Sequence, residues 1–382
     1  MLLQKIKLVS FKNYSDAEVE FCRNVNCLVG NNGVGKTNLL DAAYYLSFCK
    51  SYFNPLDSQN IRHGDSSFAV HGYYVNEAKL PLDGNTPKLY MASCIFRNGL
   101  KQMRWDGKAC KNLAEHIGRI PLVMVSPNDQ SLITGGSELR RKFIDGVISQ
   151  TNKDYLSHLL DYQKALDQRN RLLKQFFESH SFDESHLQLW DQQLVQHGSF
   201  LILQRIEFLS VFTPIFNEYY KWISRSDAHA ALSYDASVSS VDTFAQQLEA
   251  NHRRDSLALH TTIGPHRDDI DLKVADYSVK KYGSQGQQKT FLLALKLAQF
   301  EYITRHNGSK PILLLDDVFD KLDMLRVQQL INLVGSDRFG QVFVSDTQPG
   351  RVQLLFDELP NTERRIFNVS IVDGASVISP IM

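Results

Sequence analysis

The alternation of apolar and polar positions divides the chain into three stretches of different period. Over residues 1–120 short apolar runs alternate with turns. Ile6-Lys7-Leu8-Val9 and Val25-Asn26-Cys27-Leu28-Val29 predict strands, and an apolar pattern from Thr37 to about Lys50 predicts a helix. Phe68–Tyr74 and Leu89–Phe96 predict two more strands, broken by the turn-rich Pro81-Leu82-Asp83-Gly84-Asn85. Asn98-Gly99 separates Ile95-Phe96-Arg97 from Leu100–Trp105, a hairpin pattern.

From Ser137 to about Ser226 the period becomes helical. Ser137 with Glu138 predicts a helix start, and Tyr155, Leu156, Leu159, Leu160, Tyr162, Leu166, Leu172, Leu173 and Phe176 recur at roughly helical spacing. A polar break at 178–185 separates this helix from a second, Leu187–Trp222, so the pair predicts a helical arm. Residues 257–382 return to an α/β pattern. They predict a strand at Leu272–Val279, a helix near Gln287–Thr304, a strand at Ile312–Leu315, a helix at Met324–Leu333 and a strand at Gln341–Ser345.

Bulk properties narrow the class. The chain has 382 residues, which favours two lobes, and its 43% hydrophobic content with 22 Phe and 15 Tyr argues against disorder. No apolar run approaching about 18 residues is legible; the longest strongly apolar stretch is read at Pro311–Leu315. The N-terminus has no cleavable-signal shape, and Cys22, Cys27, Cys49, Cys94 and Cys110 form no C-x-x-C pair. Both observations point to a cytoplasmic protein with reduced thiols and no membrane partner. Net charge is zero, but residues 1–120 hold 15 Lys and Arg against 10 Asp and Glu, so any nucleic-acid surface is to be sought on the N-terminal part.

Gly30-Asn31-Asn32-Gly33-Val34-Gly35-Lys36-Thr37 matches G-x-x-x-x-G-K-[ST] between a predicted strand and a predicted helix. Glycines let backbone N–H groups turn inward around phosphate oxygens, and the helix N-terminus adds its positive end. Lys36 is expected on the β- and γ-phosphates of ATP, and the Thr37 hydroxyl on Mg²⁺. Asp316 and Asp317 close the apolar strand Pro311–Leu315, a Walker B pattern. Asp316 would hold Mg²⁺ and Asp317 would orient or deprotonate the attacking water.

Tyr282-Gly283-Ser284-Gln285-Gly286-Gln287-Gln288-Lys289 opens a predicted helix with a Gly-Ser-x-Gly turn. It reads either as a plain Ser N-cap or as a second anion site. One chain already has its phosphate loop, so a second γ-phosphate receptor implies a head-to-tail dimer, with Ser284 and Gly286 of one copy facing the ATP of the other. Phe319-Asp320-Lys321-Leu322-Asp323 is similar to the D-loop that crosses such an interface.

Several segments resemble the RecF family of ABC/SMC-like P-loop ATPases: Phe11-Lys12-Asn13-Tyr14, Gly35–Ala42, Val125-Ser126-Pro127-Asn128-Asp129, Arg140-Arg141-Lys142-Phe143-Ile144-Asp145 and Gly264-Pro265-His266-Arg267-Asp268-Asp269. The resemblance implies an α/β fold: a two-lobed ABC-type ATPase head with an inserted helical arm lobe. Residues 1–120 and 261–382 would form the ATPase lobe and 121–260 the inserted lobe. It also implies ATP-dependent dimerisation on duplex and gapped DNA or single-strand/duplex junctions. The expected setting is recombinational repair, replication and the SOS response to DNA damage, with a RecR-type mediator and indirectly RecA as partners. The alternatives are an ATPase subunit of a transporter or OLD-like complex, and a noncatalytic nucleotide-binding scaffold.

Where cassette transporters usually place a Glu the chain has Asp317, which predicts a slow ATP hydrolase. The histidine expected after the Gln341–Ser345 strand is absent; the chain reads Asp346-Thr347-Gln348. Gln130 stands one place beyond Asp129 and is not assigned as a metal-sensing glutamine. Arg140-Arg141-Lys142 reads as a DNA contact or a charged helix face, and His266 as structural. Arg97, Lys101, Arg104, Lys108 and Lys111 around Trp105 read as a DNA-facing ridge or a solvated edge.

Overall fold

The computed structural model describes residues 1–77, 87–180, 183–319, 324–334, 338–348, 350 and 362–381. The turn expected at Pro81–Asn85 and the D-loop residues Asp320–Asp323 lie outside these residues. The chain forms two compact units, one of residues 1–129 and 299–382, the other of 130–298. The changes of lobe expected at 120 and 260 therefore stand at 129 and 298.

The first unit begins with β1 (Leu2–Phe11), β2 (Tyr14–Glu20), β3 (Val25–Val29) and α1 (Lys36–Phe48). It continues with β4 (Ser67–Val75), β5 (Leu89–Arg97), β6 (Leu100–Trp105), β7 (Lys108–Ala109) and β8 (Leu122–Val125). The second unit holds α2 (Ser131–Thr134), α3 (Ser137–Thr151), α4 (Lys153–Ser179), α5 (Glu184–Ser224), β9 (Ala230–Asp235), α6 (Phe244–Ala250) and α7 (His252–Ala258). After β10 (Asp269–Val274), β11 (Tyr277–Ser278) and α8 (Val279–Tyr282), helix α9 (Gln285–Asn307) returns the chain to the first unit. There follow β12 (Ile312–Leu315), α10 (Met324–Val334), β13 (Val342–Asp346), β14 (Arg364–Val372) and β15 (Ala375–Pro380).

Among the described residues, the first unit has two sheets. One is antiparallel, in the order β2-β1-β4-β5-β6-β7; the other runs β15-β14-β3-β13-β12-β8 and is parallel from β14 to β8. The parallel strands β3, β12, β13 and β8 are buried throughout, as strands of a parallel sheet covered on both faces are. Helix α1 packs on strands of both sheets, which explains why it is apolar around most of its circumference. Its Tyr45 joins Phe11 and Phe68 in an edge-to-face cluster, with ring centroids 5.3 to 6.0 Å apart. At Asn98-Gly99 both residues have positive φ (53° and 75°), as the expected hairpin turn requires. β8 pairs in parallel with β12, so the first segment of the chain extends beyond residue 120 to complete the sheet.

In the second unit α4 and α5 pack side by side, and Asn152 and Asp183 cap them by accepting backbone N–H groups. By length and composition the Ser185–Ser224 part of α5 is apolar enough to cross a membrane, longer than the sequence reading allowed. Within its unit it packs as a core helix. Leu201, Phe208, Phe212 and Phe216 are buried, and Arg205 in its middle is ion-paired with Asp145. The strand expected at Leu272–Val279 is shorter: β10 ends at Val274, and Val279 starts α8. β9, β10 and β11 form an antiparallel sheet that the sequence reading placed only in part.

Candidate functional site

The C-terminal ends of β3, β12 and β13 converge on the glycine loop. The register sets Asp346 beside Val29 and Leu315 beside Val344, so Asp316, Ser345 and the start of the loop fall at one edge of the sheet. Gly30, Gly33 and Gly35 have φ of 153°, 79° and 114°. A Cβ at Gly30 would collide with the Val369 carbonyl, and one at Gly35 would stand 2.6 Å from Ser376 Oγ. Two of the motif's glycines are thus required by contact as well as conformation.

Lys36 is buried, and its Nζ donates to the carbonyls of Gly30 (2.8 Å) and Asn31 (3.0 Å). Thr37 Oγ1 lies 2.9 and 3.1 Å from the two carboxylate oxygens of Asp316. Ser345 joins both acids: its hydroxyl donates to Asp316 Oδ1 (2.8 Å) and accepts from the Asp317 backbone N–H (2.9 Å). Burial pushes the Asp316 carboxyl up to about 6; the Ser345 and Thr37 hydrogen bonds oppose this and the charge of Asp317 adds to it. Asp317 has φ of 46°, a left-handed conformation held by the Ser345 bond.

Motifs known only by resemblance acquire physical tasks here. Lys12 forms a buried ion pair with Asp41 (2.5 Å), whose carboxylate also accepts from Ser51 Oγ and the Tyr52 N–H. Tyr52 in turn donates to Asp129, which accepts from the Ser126 N–H at 2.8 Å. Asn13 accepts from Asn38 Nδ2 (2.6 Å), and Tyr14 donates to the Gly35 carbonyl (2.9 Å). The four residues Phe11–Tyr14 therefore brace the phosphate loop and α1 from one side.

Ser284 lies in the other unit. It caps α9 in a reciprocal box: the Gln287 N–H donates to Ser284 Oγ (3.2 Å), and the Ser284 N–H to Gln287 Oε1 (2.8 Å). The cap is exposed, as is Tyr282 before it. Gly286 stands in the same first turn.

Arg140-Arg141-Lys142 and Gly264–Asp269 are partners. Arg140 forks onto Asp269 at 2.7 and 2.8 Å, and Arg141 donates to the Asp268 carbonyl at 2.5 Å. Lys142 alone is exposed, paired with Glu138 at 2.6 Å. The DNA-contact reading of this triplet thus loses its two arginines to the fold. His266 Nε2 donates to the Thr261 carbonyl (3.0 Å), and its Nδ1 accepts from Tyr162 Oη (2.6 Å). Burial lowers its pKa to about 4, which keeps it neutral and fits a structural role.

On the 97–111 hairpin, Lys101 is engaged by Asp57 (2.9 Å) and the Cys49 carbonyl (2.7 Å). Arg97, Arg104, Lys108 and Lys111 are exposed, and Trp105 packs on Tyr90. Ser345, which the hydrogen bonds place between Asp316 and Asp317, was not singled out from the sequence, although it ends the predicted Gln341–Ser345 strand.

The family model for the RecF/RecN/SMC N-terminal domain matches residues 2–361. The DNA replication and repair protein RecF of Flavobacterium johnsoniae is 44% identical over 370 residues, 97% of this chain and 100% of the relative. That of Phocaeicola vulgatus is 42% identical, covering 97% and 96%. The solved structure of the recombination mediator protein RecF with ATP, in the RecFOR pathway, superposes with a TM-score of 0.87 at 28% identity, covering 100% of this chain and 98% of that one. An Smc head bound to the C-terminal winged-helix domain of ScpA superposes at 0.57 with 17% identity, a likeness of fold.

Proposed function

The chain belongs to the RecF family, and from that premise we propose that it is an ATP-dependent DNA-binding protein of recombinational repair and replication, dimerising with ATP on gapped DNA. The observation that carries the reading is the cluster of Lys36, Thr37, Asp316, Asp317 and Ser345 at the glycine loop. Gly30–Thr37 offers a backbone cradle for a triphosphate, with Lys36 as its cation. The oxygens of Thr37 and Asp316 are hard donors of the kind Mg²⁺ takes, and bound Mg²⁺ would supply charge neutralisation at the β- and γ-phosphates. Asp317 is the proposed acceptor or orienter of the attacking water, in a slow ATP hydrolase. The transporter, OLD-like and scaffold alternatives are not favoured beside relatives at 42–44% identity over nearly the whole chain.

The finer reading makes the site composite. Ser284 and Gly286 open a helix of 23 residues with an exposed capped turn, an end that attracts anions. In a head-to-tail pair this turn of one copy meets the γ-phosphate bound by the other. The test is the size of the purified protein with ATP, with ADP and without nucleotide, each with and without gapped duplex. Ser284→Arg is expected to bind ATP as a monomer with wild-type affinity and to stay monomeric. An ATP-dependent dimer of this variant as stable as wild type would show that the site is not shared.

DNA affinity on this reading comes from phosphate contacts, and dimerisation doubles the surface that makes them. The hairpin carries the proposed contacts through Arg97, Arg104, Lys108 and Lys111. Lys101 is left out because its ammonium is held by Asp57. Arg104→Glu with Lys108→Glu should weaken binding equally on unrelated sequences and flatten the plot of log affinity against log salt by roughly 0.9 per lost contact. An unchanged slope moves the DNA surface elsewhere. A RecR-type mediator and, through it, RecA complete the proposed partners, in the cytoplasm.

A further inference from the structure

The turn that carries Ser284 is held from beneath by one amide. Gln288 Nε2 lies 3.2 Å from the Val279 carbonyl and 3.3 Å from the Gly283 carbonyl, while its Oε1 lies 2.7 Å from Gln130 Nε2. Both glutamines are half-buried. The direction of these bonds follows from chemistry. Carbonyls only accept, so the NH₂ of Gln288 must face Val279 and Gly283, and its oxygen must face Gln130. Gln130 must then be the donor, which fixes its amide as well.

We propose that Gln130 and Gln288 form a positioning pair that fixes the Gly283–Gln287 turn, so that turnover depends on Gln130 without its touching metal or nucleotide. The Gly283 carbonyl belongs to the residue immediately before Ser284, and the Gly283 N–H closes α8 on the Val279 carbonyl at 3.1 Å. One side chain therefore holds both ends of the segment leading into the turn. Removing Gln130 leaves the Gln288 oxygen half-buried without its donor, and the amide is then free to rotate away from the carbonyls it holds. A small shift of a positioned group is enough to cost rate, because reacting geometry tolerates about 1 Å poorly. A metal-sensing glutamine would turn its amide oxygen to the cation, whereas the positioning role uses the Gln130 amide nitrogen, so the dependence of turnover on Mg²⁺ separates the two.

The inference rests on the composite-site reading, and its test separates the two. Gln130→Met, Gln130→Asn, Gln288→Met and the Gln130→Met/Gln288→Met double variant are compared with wild type and Ser284→Arg. Monomer affinity for ATP and the Mg²⁺ concentration giving half-maximal turnover should stay at wild-type values. Turnover and the ATP-dependent dimer should weaken about tenfold in each single variant, the effect of a lost hydrogen bond of this kind. The double variant should be no worse than Gln288→Met, since the two residues act as one unit. Additive losses, or a Mg²⁺ half-saturation shifted by Gln130→Met, overturn the pair. If Ser284→Arg still dimerises, the shared-site reading itself falls. If Ser284→Arg fails to dimerise while both Gln130 variants turn over normally, only the positioning pair falls.

Discussion

Lys36→Ala is expected to abolish measurable ATP binding, with affinity at least about 100-fold below wild type. The ammonium is buried in the loop and is its sole side-chain cation; its two carbonyl partners mark where it is presented. Charge-assisted hydrogen bonds contribute roughly 1.5–3 kcal/mol each, so losing two to phosphate oxygens gives this drop or more. Lys36→Arg should not restore affinity, because a planar fork cannot occupy a site shaped for a point charge. Asp317→Asn separates binding from chemistry. Asn tolerates the left-handed conformation that position 317 adopts, so the backbone and the Ser345 bond survive. Affinity for ATP should persist while turnover falls by roughly 10²–10⁴, since an amide accepts no proton from water. Equilibrium titration paired with single-turnover hydrolysis reads both effects; undiminished hydrolysis by Asp317→Asn removes that residue from its role.

Arg169→Met is expected to lower the stability of the second unit by about 3–5 kcal/mol. Arg169 is fully buried, with Asp191 at 2.5 Å, Asp255 at 2.7 Å and Thr261 Oγ1 at 2.9 Å. Removing the guanidinium leaves two carboxylates on one buried site, one of them fully buried, with no cation of equal reach. His252 stays on Asp191 at 2.7 Å, and Asp255 keeps the Thr262 N–H and hydroxyl, neither of which is a fixed cation. For a unit of this size the loss corresponds to a melting temperature lower by roughly 6–20 °C. Calorimetry on the full chain reads it directly. Changing Asp255 to Leu in the same chain should recover part of the loss, because a buried ion pair replaced on both sides costs less than one broken on one side. A melting temperature within 2 °C of wild type, a shift too small for about 1 kcal/mol, would show that Arg169 carries no such burden.

Much of the nucleotide site was legible because it is local. The glycine loop, its helix and the Walker B strand each occupy one short segment whose period and residue types are self-contained. Asp316, Thr37 and Lys36 could be named before any partner was known. What escaped depends on pairing across long intervals. Ser345 acts because β13 lies in parallel register beside β12, and nothing within its own segment tells that. The β14–β15 hairpin was unreadable as part of the ATPase sheet because its strands are half-exposed and β14 pairs with β3, more than 300 residues earlier. Arg140 and Arg141 look like a basic cluster in sequence; their charges are answered by Asp269 and the Asp268 carbonyl from a segment beyond α5. No membrane-length apolar run is legible across α5, and nothing in the sequence around Arg205 tells that it is paired with Asp145 inside the unit.

The same long-range pairing has a consequence for synthesis. The phosphate loop is read early from the message, yet its backing comes late: the Val369 carbonyl lies against Gly30, and Ser376, 342 positions after Val34, donates to the Val34 carbonyl. A ribosome therefore exposes residues 30–37 long before the strand that shapes them exists. The second unit is one contiguous segment and can fold while translation continues, whereas the first must wait with its strands open. A nascent chain can acquire the arm before the first unit is complete, and a chain ending before residue 369 would lack the carbonyl that lies against Gly30.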